Sequence, residues 1–147
     1  LTVLDEFTRE CLMTLVARSI PSQRVLDVLK WLFATRGVPQ HLRSDNGSEF
    51  IANKVKNWLK TTGCHTLYIE PGHPWENPFI ERFIGTLRRE CLDRYLFDSV
   101  TEAQHLIEQW REEYNRHRPH SSLDYLTPAD FAQQHPIRGI SLTPAGT

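Results

Sequence analysis

Two carboxylates occupy settings in which an acidic side chain can do chemistry. Asp45 lies in the polar stretch RSDNGSEF at 43–50, and Glu81 follows 36 positions later in the first turns of a predicted helix. Asp, Asn and Gly favour a tight turn, which would hold the Asp45 carboxylate at the end of a strand. The turn taken alone favours a purely structural cap. The second carboxylate is what makes Asp45 a candidate site residue.

A pair of ionised carboxylates with few basic neighbours suits a hard divalent cation such as Mg²⁺, which takes oxygen ligands and retains water. Two such ions about 4 Å apart can activate an attacking oxygen and stabilise the leaving oxygen in phosphoryl transfer. That chemistry usually uses three or more carboxylates, and the sequence supplies two in suitable settings. Asp45 and Glu81 are therefore the candidate catalytic residues and metal ligands.

The predicted helix of Glu81 carries a second indication. Arg88 follows Glu81 by seven positions, which is two helical turns, so both side chains share one face to within about 20°. Gly85 lies between them on that face, and a glycine inside a helix costs about 1 kcal/mol relative to alanine. One interpretation is that a phosphodiester backbone approaches there, with Arg88 as its contact. The alternative is a surface Glu–Arg pair and a glycine kept for close packing.

The order of predicted elements indicates an α/β domain. Two strands that form a hairpin come first, and then helices alternate with single strands until two helices follow each other. We predict strands at 1–7, 11–17, 40–43 and 65–69, and helices at 51–61, 77–92 and 101–115, with a further helix that Ser22 caps and Gly37 ends.

The composition is that of a folded domain without a strong overall charge. Of 147 residues, 39% are hydrophobic and 24% are charged, and the net charge is −1. No overall positive field indicates a nucleic-acid partner, so such an interaction would depend on local patches. The three cysteines are odd in number and lack metal-ligand spacing, which predicts buried, reduced thiols. No apolar run approaches the roughly 18 residues of a membrane span, so we expect no membrane partner.

Four stretches together resemble the integrase core of bacterial insertion-sequence transposases, which belong to the retroviral-integrase-like superfamily. Each motif alone is modest support, but four in order at the family's spacing are specific. The resemblance covers residues 1 to about 132. The stretches are LTVLDEFTREC at 1–11, RSDNGSEF at 43–50, NPFIERFIGTLRREC at 77–91 and YNRHRPHSSL at 114–123, the last followed by LTPADF at 126–131.

The resemblance implies an α/β, ribonuclease-H-like fold with a mixed sheet and flanking helices. The family's first catalytic Asp lies on the first strand of the sheet, upstream of the segment that begins here at Leu1. We therefore expect this chain to start after that residue, with the first strand of the fold missing. On this interpretation, residues 1–132 are a partial catalytic core with its C-terminal signature, and residues 133–147 are a loop-like tail.

The resemblance also implies a site of two Asp and one Glu that holds two Mg²⁺ or Mn²⁺ ions in the complete protein. Asp45 matches the second Asp, Glu81 matches the Glu, and Arg88 matches a basic residue seven positions further on. Asp5 matches the Asp that begins the family's second-strand turn, so we interpret it as a turn carboxylate. Arg82 stands where the family commonly has Ser. Further contacts to the DNA backbone are expected from Arg89, Arg94, Arg116, His117, Arg118 and His120.

The function that the resemblance implies is DNA transposition, by metal-dependent cleavage of a strand at a transposon end and strand transfer into target DNA. The partners would be both DNAs, and the active complex would be a homo-oligomer in the bacterial cytoplasm, at the nucleoid. Without the first catalytic Asp, we expect this chain by itself to be inactive. Two alternatives remain open: a non-catalytic DNA-binding or assembly remnant of a truncated insertion element, and a nuclease that hydrolyses without strand transfer.

Overall fold

A computed structural model shows a mixed sheet with helices packed on both faces. The structure describes residues 1–45, 47–48, 52–70, 72–136 and, for the backbone alone, 141–145. The strands are β1 (Thr2–Asp5), β2 (Cys11–Thr14), β3 (His41–Ser44), β4 (His65–Tyr68) and β5 (Ser141–Ala145). The helices are α1 (Ser22–Arg36), α2 (Asn53–Thr62), α3 (Pro78–Glu90), α4 (Val100–Arg116) and α5 (Pro128–Gln134). Short 3₁₀ turns lie at Pro74–Glu76, Leu92–Arg94 and Ser121–Leu123.

The sheet has the strand order β2-β1-β5-β3-β4. β1 and β2 form the predicted antiparallel hairpin, while β3 and β4 are parallel neighbours that α2 connects. The last strand in sequence lies at the centre: β5 runs antiparallel to β1 and parallel to β3. The two halves of the sheet are therefore joined through a strand from the end of the chain.

The prediction of a loop-like tail over 133–147 is wrong in two places, because α5 continues through Gln134 and residues 141–145 form β5. The tail has no periodic pattern, and it contains Pro144, which has no N–H to donate to a ladder. Yet Pro144 is the register partner of Val3 in the central strand. The N–H and C=O groups along the facing edges of β1 and β3 need hydrogen-bond partners. The extended segment 141–145 lies between these strands and provides partners for both. The rest of the predicted loop, at 137–140 and 146–147, lies outside the described residues.

Alternation along β1 divides its side chains between two cores. Val3 belongs to the core that the sheet forms with α1 and α2, and Leu4 belongs to the core that it forms with α3 and α4. The same alternation separates Leu12 from Cys11 on β2. The sheet is thus the middle layer of three, and α3, which carries Glu81, is held against it through a buried apolar stripe. That stripe consists of Ile80, Phe83 and Leu87.

The helix ends follow local chemistry that the sequence mostly shows. Gly63 ends α2 in the left-handed region at φ 79°, and Ser99 caps α4 by accepting a hydrogen bond from the backbone N–H of Glu102 at 3.0 Å. The prediction that Ser22 caps α1 is wrong, because Ser22 is the first helical residue and Pro21 holds the cap position without a side-chain bond. None of the helices in the described ranges is long and apolar enough to cross a membrane.

Candidate active site

Asp45 directly follows β3 and closes a turn with its own side chain. Its Oδ1 accepts a hydrogen bond from the backbone N–H of Gly47 at 3.0 Å, and its carbonyl oxygen accepts one from the Ser44 hydroxyl at 3.1 Å. The turn role that the sequence favours for Asp45 is therefore present. Its other carboxylate oxygen, Oδ2, accepts no hydrogen bond from the described residues, so a cap on one oxygen leaves the second available as a ligand.

Glu81 lies in the first turn of α3 with an exposed side chain. Its backbone N–H donates to the carbonyl of Asn77 at 3.2 Å, and its carboxylate forms no hydrogen bond or ion pair within the described part of the chain. The partial positive charge of a helix N-terminus stabilises an ionised carboxylate in this position. The Glu81 carboxylate is thus open to solvent at the start of α3, where a cation could reach it.

Asn77, at the N-cap position of α3, carries a buried polar atom without a partner. Its side chain is 5% exposed, and its Oδ1 has no hydrogen-bond partner among the described residues. The side chain does not cap the helix. A buried amide oxygen without a hydrogen-bond partner lowers the free energy of unfolding by about 1–3 kcal/mol. Asn77 Oδ1 is also a third oxygen near the start of α3, beside those of the two carboxylates.

The Arg43 side chain connects the end of β3, which precedes Asp45, with the segment just before α3, which carries Glu81. Arg43, on β3 and two residues before Asp45, donates from Nη1 to the carbonyl oxygen of Glu76 at 2.6 Å, and Glu76 lies two residues before α3. Its Nε is 3.5 Å from Oε1 of Glu6, just after β1. The end of β3 and the start of α3 are therefore neighbours, as a site shared by Asp45 and Glu81 requires.

The oxygen ligands available in this region suit a hard cation, but they are few. Asp45 and Glu81 offer carboxylate oxygens, the ligand type that Mg²⁺ and Mn²⁺ prefer. In the described ranges, no three Asp, Glu, His or Cys side chains come close enough together to hold a metal ion. Among the described residues, Asp45 and Glu81 are therefore the two acidic candidates for such a site, without a third beside them.

Asp5 is the turn carboxylate that the sequence predicts. It is buried, and its Oδ1 accepts hydrogen bonds from the backbone N–H groups of Phe7 at 2.9 Å and Thr8 at 3.3 Å. Burial raises the pKa of this carboxyl, and the two backbone donors oppose that shift. The role of Asp5 is to close the turn between β1 and β2.

The predicted basic face of α3 is open to solvent. Arg88 and Arg89 are both exposed in its last turn, and the described residues show no ion pair between Glu81 and Arg88. At Gly85, an added Cβ would meet the Nη1 of Arg89 at 3.2 Å, which is the movable end of a long side chain. Neither the surface-pair interpretation nor the close-packing interpretation of this face therefore finds support. The possible approach of DNA to Gly85 stays a prediction.

The arginines of the C-terminal signature are instead engaged within the fold. Arg116 pairs with Glu112 at 2.7 Å, and Arg118 pairs with Glu90 at 2.6 Å. The Arg118 guanidinium holds the pKa of the Glu90 carboxyl below its ordinary range, and the Trp110 Nε1–H lowers it further. These contacts reduce the charge that Arg116 and Arg118 can offer to a DNA backbone.

Two basic residues near this face were not predicted as binding residues. Arg82 follows Glu81 on α3, and Arg9 reaches α3 from the turn between β1 and β2, where its guanidinium carbon lies 3.9 Å from the centroid of the Phe79 ring. Arg9 is separated by about 70 positions from α3, so the sequence gives no signal for their proximity. For Arg82, the departure from the family's usual Ser is the one signal available.

The cysteines are free and buried, as predicted. Burial raises the pKa of Cys11 to about 12 and that of Cys64 to about 11. The thiolate is the nucleophilic form, so neither thiol is a nucleophile at neutral pH.

The comparisons with known proteins agree with this geometry. Two sequence models, both described as "Integrase core domain", match residues 1–74 and 62–128. An insertion element IS407 uncharacterized 31.7 kDa protein of Burkholderia multivorans is 38% identical over 135 residues, which are 92% of this chain and 49% of that protein. An insertion element IS476 uncharacterized 39.2 kDa protein of Xanthomonas euvesicatoria is 40% identical over 135 residues, 92% of this chain and 39% of that protein. The chain thus spans half or less of the length of these two relatives.

Solved structures show the same fold. The catalytic core domain of BIV integrase superposes with a TM-score of 0.69 at 21% identity, covering 90% of this chain and 84% of that one. The HTLV-2 integrase catalytic core domain in complex with magnesium, in a trimeric form, gives a TM-score of 0.66 at 16% identity, covering 88% and 81%. The expected ribonuclease-H-like fold is confirmed. With one family match over half of the sequence, this chain belongs to the integrase core domain family.

Proposed function

We propose that this chain is part of a transposase core that cuts a DNA strand at a transposon end and joins the freed end to target DNA. The observation that supports the proposal is the hydrogen bond from Arg43 to Glu76, which joins the end of β3 next to Asp45 to the residues just before the helix of Glu81, in a chain of this family. Both steps exchange one phosphorus–oxygen bond for another. In the first step water attacks, and in the second the freed 3′-hydroxyl attacks a target phosphodiester in line.

Asp45 and Glu81 are the residues that would hold divalent cations. When bound, Mg²⁺ or Mn²⁺ would make water a better nucleophile and stabilise the negative charge that develops on the leaving oxygen. Asp45 would contribute Oδ2 while Gly47 holds Oδ1, and Glu81 would contribute an exposed carboxylate from the first turn of α3. A two-ion site needs further oxygen ligands, and the HTLV-2 core with magnesium supports the choice of metal.

Arg88 and Arg89 would bind phosphates of the DNA strand that lies along α3. Both are exposed, and no carboxylate of the described residues pairs with either. Arg116 and Arg118 would contribute less, because Glu112 and Glu90 already pair with them. The working partner is thus DNA at the solvent face of α3. We further propose assembly into a homo-oligomer, as in the trimeric HTLV-2 core, and action at the bacterial nucleoid.

The test expresses the chain in its complete reading frame and measures Mn²⁺-dependent joining of labelled transposon-end DNA to a target plasmid. Asp45→Asn and Glu81→Gln should each reduce strand transfer to background, while Asp93→Asn, an exposed acidic residue beyond α3, should leave it unchanged. Full activity in either site variant would contradict the assignment. Hydrolysed ends without joined product would indicate a nuclease of the same fold.

A second candidate function follows from the missing third acidic ligand. With no group of three metal-binding side chains among the described residues, the chain also fits a non-catalytic DNA-binding or assembly module. Retained DNA binding without Mn²⁺-dependent chemistry, in the complete reading frame as well as in this chain, would favour that function.

A further inference from the structure

A cavity of about 290 Å³ lies on the α3 side of the sheet and is lined by cationic and hydroxyl side chains. We call it the Arg9–Arg82 cavity. It is bounded by the turn after β1, by α3, and by the chain that follows α4. None of its lining residues is Asp or Glu, and its polar lining includes Arg9, Arg82, Arg118, His120, Ser121 and Ser122 beside the hydroxyl groups of Thr86 and Tyr114.

Two of the three guanidinium groups lack an acidic partner. No carboxylate of the described residues lies within 4.0 Å of the side-chain nitrogens of Arg9 or Arg82, whereas Arg118 is paired with Glu90 at 2.6 Å. Burial lowers the pKa of the Arg9 guanidinium, the charge of Glu6 opposes that shift, and Arg82 adds a smaller effect in the same direction as burial. Two neighbouring positive charges, one of them partly removed from water, are stabilised by an anion between them.

The cavity also presents hydrogen-bond donors that the fold does not use. The Nε2 of His120 is buried and has no partner in the described part of the protein, although its ring packs edge-on against Tyr114 at 4.9 Å between centroids. Burial lowers the pKa of His120, and the charges of Arg118 and Arg9 act in the same direction, so the ring stays neutral and offers one N–H. Ser121 and Ser122 add exposed hydroxyls at the rim.

We propose that the Arg9–Arg82 cavity binds one phosphate group of a DNA strand. A phosphate accepts several hydrogen bonds at once, which matches two guanidinium groups, one imidazole N–H and two hydroxyls better than a planar carboxylate does. The choice of DNA as the source rests on the proposed function. The cavity gives His120, Ser121 and Ser122 of the signature a role in binding, beside an Arg118 that is already paired with Glu90.

The test measures binding of a short, fluorescently labelled single-stranded oligonucleotide by anisotropy, in EDTA, over a range of salt concentrations. Arg82→Gln should weaken binding about tenfold, because it removes one charged hydrogen bond to phosphate. It should also reduce the slope of log K against log salt by about 0.7. Arg24→Gln is the matched control, since Arg24 is exposed on α1 against the other face of the sheet. Arg82 is exposed too, so unchanged thermal unfolding of Arg82→Gln should show that its fold is intact.

The same oligonucleotide with and without a 5′-phosphate distinguishes the two sources of phosphate. A loss in Arg82→Gln confined to the phosphorylated form would assign the cavity to a strand terminus, and an equal loss in both forms would assign it to an internal phosphodiester. Equal affinities of Arg82→Gln and Arg24→Gln would overturn the proposal, as would stronger competition by an acidic peptide than by inorganic phosphate. Because the assay contains no metal, its outcome is separate from that of the strand-transfer test.

Discussion

Asn115, the second residue of the signature stretch at 114–123, should be one of the most sensitive positions for stability. It is 7% exposed and lies on α4. Its side-chain amide forms two hydrogen bonds with the backbone of Cys11 on β2, in the way that a neighbouring strand pairs with a residue. Its Oδ1 accepts from the Cys11 N–H at 2.8 Å, and its Nδ2 donates to the Cys11 carbonyl at 2.9 Å. Arg111 donates to the same carbonyl at 2.7 Å.

Asn115→Ala removes both bonds with unequal consequences. The Cys11 carbonyl keeps its bond from Arg111, so that loss costs about 0.5–1.5 kcal/mol, but the buried Cys11 N–H is left without a partner, at about 1–3 kcal/mol. The free energy of unfolding should therefore fall by about 2–4 kcal/mol, and Tm should fall by roughly 10 °C. Urea and thermal denaturation followed by circular dichroism measure both quantities.

The control is Asn57→Ala, at an exposed position inside α2, which should change stability by a few tenths of a kcal/mol at most. Asn115→Asp separates the two bonds, because it keeps an acceptor for the Cys11 N–H but places a second oxygen against the Cys11 carbonyl. It should be destabilised most at neutral pH, and less in acid, where a protonated carboxyl can donate. A fall below about 1 kcal/mol for Asn115→Ala would refute the strand-pairing argument.

Two further predictions concern single positions near the site. Burial raises the pKa of Asp5, so its carboxyl favours folding most below the ordinary value of 3.8, and that contribution is lost as pH rises through the folded pKa. Asp5→Asn keeps an acceptor for the N–H groups of Phe7 and Thr8, so the variant should be more stable than the native chain at pH 7 and lose that advantage in acid. Urea titrations at several pH values measure this difference in stability. A difference that does not vary with pH would contradict the argument. Gly85→Ala should raise stability by about 1 kcal/mol, since the new Cβ meets only the movable end of Arg89, and a lower Tm would show that the helix needs glycine there. If DNA approaches this face, the same variant should bind DNA more weakly in the anisotropy assay.

Local pattern was enough to predict most of the fold. Apolar periodicity predicts the hairpin and the alternating helices, and glycines at 37 and 63 predict where α1 and α2 end. The two carboxylates and the exposed Arg88 could be chosen from residue type and spacing, because a turn after a strand and the first turn of a helix are features of short segments. Whether Asp45 and Glu81 hold metal stays a prediction.

Pairing across long separations was not predictable in the same way. How distant segments pack decides the ion pair of Arg118 with Glu90 and the contact of Arg9 with α3. It also decides that Asn77 Oδ1 has no hydrogen-bond partner among the described residues. A sequence shows that an arginine is present, but its available charge depends on which carboxylate lies within a few ångströms. Two of the five arginines predicted to bind DNA, Arg116 and Arg118, are paired with carboxylates for this reason.

The sequence by itself determined the family, the order of the elements as far as α4 and the two candidate acidic ligands, because each depends on residues that are close together or at fixed spacing. Only the tertiary structure decided that residues 141–145 fill the centre of the sheet, since a short segment with a proline has no strand pattern of its own. It forms a strand because β1 and β3 offer unpaired backbone groups on either side of it. The same packing brings Arg9, Arg82 and His120 around one cavity, which no spacing in the sequence indicates.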